Sequence, residues 1–251
     1  MKEFFVGYLP SVPPGIAGLI HRVVACLLLC TALLAVALVK AQHRFPQSAF
    51  EFDTIRDFEG TIEERPYPAL LVQRLGVQDA GYPFSRYVLV GTGKHGADRD
   101  VAGLAGHNVK LKGKLIYRGN QTLIEVMLGS VEKTSSAAKT VAPIGTVGAV
   151  TLTGEIVDSK CYFGVMNPGE GKVHRDCATR CLSGGIPPAL ITHDSSGRSV
   201  VYLLANSDGS RVPSDWAAAR AARPITISGR MVKSGDTLIL QADLSTFRLA
   251  R

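Results

Sequence analysis

The sequence predicts an all-β protein with a minor α content: an N-terminal transmembrane helix followed by two tandem small OB-like β-barrel domains. Three observations lead there. An unbroken apolar run occupies Val23–Val39, short apolar alternations broken by glycine begin at Phe58, and the second half of the chain repeats the scheme of the first. Composition agrees. With 251 residues, 46% of them hydrophobic, and five Cys, the chain is too apolar for disorder and too poor in Cys for a disulfide-stapled miniprotein. A length of this order implies one or two domains.

The first element is the apolar run, VVACLLLCTALLAVALV, 17 positions without a charge or a proline. A bilayer core takes roughly 17–25 such residues, so the run is long enough to span. A cleaved secretory signal is the alternative, with Val39-Lys40-Ala41 as a loose cleavage site. Lys40 fits such a site poorly, and the segment before the run is long. Residues 1–41 are therefore expected to be a tail and an uncleaved anchor. Either reading exports the remainder of the chain, to the periplasm or the cell exterior. Lys2 and Arg22 before the run nearly balance Lys40, Arg44 and Arg56 after it, so orientation rests on the short tail staying inside. Cys26 and Cys30 lie four apart on one face of the span, as packing or lipid-facing surface.

The first OB-like domain is expected over 50–131. Its strands are Gly60–Glu64, Arg86–Gly91, Asn108–Tyr117 and Thr122–Met127, with Val101–Ala105 as a short helix. Residues 132–148 are rich in small and polar side chains and read as a linker. The second OB-like domain, 149–251, repeats the pattern. GKLIYRGNQTLIEV from Gly113 resembles GRMVKSGDTLILQA from Gly229, two strands joined by a hairpin turn. The segment around Gly60 parallels that around Gly154, and SRYVLV at Ser85 parallels SVVYLL at Ser199. The opening glycines stand 94 positions apart and the closing ones 116, a surplus of 22 in the second copy. Most of it falls between Cys161 and Pro188. Trp216 and the Ala-rich stretch to Ala222 read as a short helix plugging the second barrel.

The surplus carries the chemistry. Cys161 follows the strand Gly154–Val157, and Asn167-Pro168-Gly169 makes a turn. A helix from His174 to Leu182 ends at Ser183-Gly184-Gly185. On it His174, Cys177 and Cys181 fall at i, i+3 and i+7, on one face, and the glycine-rich loop is long enough to bring Cys161 over them. Three thiolates and an imidazole suit zinc or copper, so Cys161, His174, Cys177 and Cys181 are the candidate metal ligands. Met166 and His193 are further donors nearby in sequence. Exported Cys also oxidise, and Cys161 paired to Cys177 or Cys181 would leave one thiol over. Redox-active thiols are a third possibility.

The pattern C-Y-x-G-x-M-x-P-G-x-G-K-x-H-x-x-C-A-x-x-C is carried by Cys161, Tyr162, Gly164, Met166, Pro168, Gly169, Gly171, Lys172, His174, Cys177, Ala178 and Cys181. It resembles a motif of uncharacterised bacterial proteins, secreted or membrane-anchored, on OB-like domains. The resemblance covers about the first third of the second domain. It implies that these residues act as one unit and implies no activity.

Other chemistries find little support. The net charge of +7 is scattered, and Lys110, Lys112 and Lys114 alternate along one strand as a solvated face. Aromatic residues for base stacking (Tyr82, Phe84, Tyr87, Tyr117, Tyr162, Phe163, Tyr202, Trp216) are sparse. Nucleic acid is not the expected partner; anionic lipid or an acidic protein is. GTGKHG from Gly91 lacks the spacing of a phosphate loop and reads as a β-turn, and His95 and His107 read as surface residues. No catalytic triad, paired carboxylates or H-E-x-x-H helix is evident, so a non-enzymatic role is expected. The resulting picture is an accessory protein of a membrane-associated complex, binding zinc or copper or carrying redox thiols. The alternatives are a thiol–disulfide oxidoreductase using Cys177 and Cys181, and a ligand-binding module with structural Cys.

Overall fold

A computed structural model of the chain describes residues 12–42, 48–74, 84–119, 121–134, 145–195 and 198–250. Lys2, Arg44, Tyr82, the hairpin residue Asn120 and positions 135–144 of the expected linker lie outside them. The chain divides into two compact units, residues 1–47 and 48–251.

Among the described residues the first unit holds one helix, α1 (Pro14–Gln42). Proline at the helix start is tolerated because the missing N–H has no intrahelical partner there. The helix runs on through His21-Arg22, just before the apolar run, and reaches 29 residues. At 1.5 Å per residue that is about 43 Å, more than the roughly 30 Å hydrocarbon layer. Its apolar side chains from Leu19 to Val39 are exposed. The helix is long and apolar enough to be a membrane anchor or a signal segment.

The second unit is mostly β. Its first seven strands are β1 (Ser48–Phe50), β2 (Arg56–Glu63), β3 (Ala69–Gln73), β4 (Phe84–Val90), β5 (Asn108–Arg118), β6 (Gln121–Val126) and β7 (Glu132–Lys133). Strands β2 to β6 close on themselves in the order β5-β2-β3-β4-β6-β5, with β4 and β6 parallel and the other neighbours antiparallel. β1 and β7 add to β5.

The remaining strands are β8 (Gly145–Asp158), β9 (Pro188–His193), β10 (Ser199–Asn206), β11 (Pro224–Ser234), β12 (Thr237–Ala242) and β13 (Arg248–Leu249). Strands β8 to β12 close in the order β11-β8-β9-β10-β12-β11, again with one parallel pair, β10 and β12. Two short helices, α2 (Arg175–Ser183) and α3 (Ser214–Ala218), belong to this half.

The glycines that align the two copies have a physical reason. A Cβ on Gly60 would strike the Leu71 carbonyl, and one on Gly154 the Ile191 carbonyl. A Cβ on Gly113 would meet Ile124 and the Glu125 carbonyl; one on Gly229 would meet Gln241 and Ala242. Each sits where a strand crowds its neighbour to close a small ring, so only glycine fits.

Apolar burial forms three clusters. One fills the first ring (Ile62, Leu70, Leu89, Leu111, Ile124, Val126). A second fills the second ring (Ile156, Leu190, Ile225, Ile227, Leu240) beneath Ala178, Leu182 and Ala217 of the two helices. The third lies between the rings, joining Val88, Ile116 and Leu123 to Phe163, Ala189 and Leu203.

Val101–Ala105 is a run of turns instead of a helix, because Gly103 and Gly106 adopt φ +75° and +73° on either side of Leu104. Val101 and Ala97 still plug the first ring, as a helix there would have. Strand β3 was missed, its apolar run Ala69–Val72 hidden behind Pro66 and Pro68. The expected linker loses both ends: Glu132–Lys133 pairs with β5 and Gly145–Gly148 is already β8.

Candidate metal centre

The site begins where β8 stops. Asp158 is fully buried, and its Oδ1 accepts the Cys161 N–H at 2.8 Å, so the carboxylate caps the turn beyond it. Its Oδ2 lies 2.8 Å from Nε2 of His174, itself buried. Cys161–Val165 forms a π-type turn, closed by the Met166 N–H to the Cys161 carbonyl at 3.2 Å. Gly164 packs so closely on the Ala49 carbonyl of β1 that a side chain would not fit. The edge of the first ring therefore backs this turn.

The chain then reverses. The Gly171 N–H donates to Glu155 Oε1 at 2.6 Å, tying the loop to β8, and burial pushes the Glu155 carboxyl up from its ordinary pKa. A 3-10 turn at Lys172–His174 leads into α2. On α2, Cys177 and Cys181 are one turn apart on the face toward Cys161, while Ala178 and Leu182 face the second ring.

The sulfur atoms of Cys177 and Cys181 each lie 3.9 Å from that of Cys161. No disulfide joins them; all three are free thiols. An ion about 2.3 Å from each sulfur implies sulfurs about 3.8 Å apart in a tetrahedral site and about 4.0 Å apart in a trigonal plane. The two edges that meet at Cys161 thus have the length a metal requires, and the third is within 4.8 Å.

The predicted quartet resolves into two overlapping groups. Cys161, Cys177 and Cys181 form one, and Asp158, Cys161 and His174 the other, the ligand atoms of each group lying within 4.8 Å of one another. Cys161 belongs to both. His174 lies before α2, in the 3-10 turn, and its Nε2 is directed at Asp158, so helical spacing did not by itself place it with the Cys pair. Together the five residues are a possible metal site. Met166 is 43% exposed and His193 is exposed on β9; neither is gathered into the buried centre.

Two lysines complete the surroundings, and sequence reading overlooked both. Lys94, in the GTGKHG loop of the first ring, brings its ammonium to 2.8 Å from the Cys177 sulfur and 3.7 Å from that of Cys181. This hydrogen bond to Cys177 raises the lysine pKa. Lys160, next to Cys161, is buried and donates to the Gly91 and Gly93 carbonyls at 2.7 Å each, and it pairs with Glu125. The loop is also pinned from the far side. The Gly96 N–H donates to the Gly184 carbonyl at 3.0 Å, and a Cβ on Gly184 would run into the Lys94 carbonyl. Gly184-Gly185 thus ends α2, as expected, and also makes room for this loop. The turn at GTGKHG was anticipated; its reach to the thiols was not, because a long-range contact leaves no local pattern.

The thiols influence one another. The hydrogen bond between Cys161 and Cys181 comes first for both: with burial and the nearby Asp158 it drives the Cys161 pKa up, and it pulls that of Cys181 down. Lys94 adds to the downward shift at Cys181, against burial. The shared hydrogen bond and Lys94 thus make Cys181 the more acidic of the two thiols and Cys161 the less acidic.

No protein-family model matches the chain, and no curated protein matches it either.

Proposed function

We propose that this is a membrane-anchored, exported accessory protein that holds a zinc or copper ion at Cys161, Cys177 and Cys181, with Asp158 and His174 beside them. Its place is in a membrane-associated complex, as subunit or partner. The observation that carries this reading is the triangle of free sulfurs, 3.9 Å from Cys161 to each of the other two. Three soft donors brought together without a disulfide cost desolvation and thiol repulsion that a bound cation offsets.

The soluble part is best described as tandem OB-like domains. In support, each ring runs first-second-third-fifth-fourth strand with the third and fifth parallel, the connectivity of a five-stranded Greek-key barrel. The apolar helix α1 supports anchoring, and an odd number of Cys beyond it favours a ligand over a staple.

The test is metal analysis of the purified full chain in detergent. One metal per chain, lost with each of Cys161→Ser, Cys177→Ser and Cys181→Ser, is the expected result. Absence of metal after loading under reducing conditions would overturn it.

A second reading, a ligand-binding module with structural Cys, draws on a cavity of about 180 Å³ between the rings, lined by Val88, Leu123, Phe163, Val201 and Leu203. Ligand binding that persists unchanged in Cys177→Ser and Cys181→Ser would favour it. The oxidoreductase alternative would show instead as a reversible disulfide between Cys177 and Cys181.

A further inference from the structure

The three sulfurs leave one side of the site to Lys94. The other nearby donor groups are engaged: His174 Nε2 faces Asp158, and Asp158 also holds the Cys161 N–H. A structural zinc site is closed by four protein ligands. Here an ammonium group lies against two of the sulfurs, 2.8 Å from Cys177 and 3.7 Å from Cys181, and it has no lone pair to offer a metal. Lys94 is exposed, Cys177 is partly exposed, and Cys161 and Cys181 are buried, so this side is also the one open to solvent.

Charge points the same way. Three thiolates around a monovalent ion carry two net negative charges; around a divalent ion they carry one. An adjacent ammonium stabilises the first complex more than the second, since Coulomb attraction scales with the charge it meets. Thiolate ligands are soft and suit copper(I) as well as zinc, so the charge beside them is what decides between the two ions. Resting on the metal-site reading above, we propose that the centre is a three-coordinate, all-sulfur site for copper(I), and that Lys94 makes it so by occupying the fourth position with a positive charge.

This identifies a loop of the first ring as the specificity-determining part of a site whose ligands all come from the second. The loop is built for the task. Lys160 grips its Gly91 and Gly93 carbonyls from below, and Gly184 holds Gly96 from the side. Lys94 is thereby aimed at the sulfurs by backbone contacts that do not involve its own side chain.

The experiment uses the full chain in detergent, reduced and anaerobic, with copper(I) or zinc(II) as the only added metal. X-ray absorption counts the ligands, and competition with a chelator gives the ratio of copper to zinc affinity. The wild type should show three sulfurs and no nitrogen around copper. Lys94→Met keeps the stem without the charge, and Lys94→His offers a fourth donor. Both should shift the affinity ratio toward zinc, by about tenfold or more for Lys94→His, in line with the 10–100-fold effects of groups that surround metal ligands. Nitrogen in the copper sphere, or an unchanged ratio in both variants, overturns the proposal. Zinc bound by the wild type through four ligands including His174 also overturns it, while leaving the metal site standing. Failure of the wild type to bind either ion removes the site itself.

Discussion

The Lys160 ammonium and the Glu125 carboxylate form an ion pair in the interior, one from the second ring and the other from β6 of the first, each less than a tenth exposed. The same ammonium holds two carbonyls of the loop that carries Lys94. Removing one member of such a pair strands the other, at a cost of about 3–5 kcal/mol. Lys160→Met is therefore expected to destabilise residues 48–251 by that amount in chemical denaturation. Adding Glu125→Gln should recover part of the loss. Additive losses in the double variant would show that the two groups are not coupled.

Gly184→Ala tests the docking of the loop against α2. Its backbone conformation suits any residue, so the cost is steric: the new methyl meets the Lys94 carbonyl. Overpacking of this kind costs about 1–3 kcal/mol. A lower Tm together with weakened metal binding is expected. A lower Tm with unchanged metal affinity would mean that the loop does not serve the site.

Metal loading should release protons. The Cys161 thiol is held protonated by its hydrogen bond to Cys181, by burial and by Asp158, and it must ionise to become a ligand. Affinity should therefore fall as pH is lowered, and loading in weak buffer should acidify the solution. Proton release of zero at neutral pH would contradict the assignment of that proton.

Glu155 gives a pH dependence of stability. Burial raises its folded-state pKa, so its contribution is fully present below the ordinary carboxylate value of about 4.3 and is lost as pH rises through the raised value. Glu155→Gln keeps an acceptor for the Gly171 N–H and removes the titration. Denaturation midpoints measured across this window should decline with pH in the wild type and decline less in the variant. Parallel profiles would refute the role given to burial.

How much of this was legible in the sequence depends on how local the cause was. The closing glycines were legible because a Cβ is forbidden at each, and the ban recurs at Gly60 and Gly154 and at Gly113 and Gly229. Cys161 over Cys177 and Cys181 was legible too, because helical spacing and a flexible loop are properties of one segment. The helix at Val101–Ala105 was misread because the apolar positions resemble a helical stripe and the glycines that break it act through φ. Asp158, Lys160 and Lys94 carry no such local signal as site residues. The two lysines matter through contacts that are close in space and remote in sequence: Lys94 lies 83 positions from Cys177, and Lys160 lies 69 from Gly91.

The uneven burial of the three sulfurs has a kinetic meaning as well as a geometric one. Cys161 and Cys181 are nearly inaccessible, whereas Cys177 retains contact with solvent. A reagent arriving from solvent therefore reaches Cys177 more readily than the other two. One sulfur thus stands at the solvent boundary and two stand behind it, so chemical modification of the three should proceed at unequal rates.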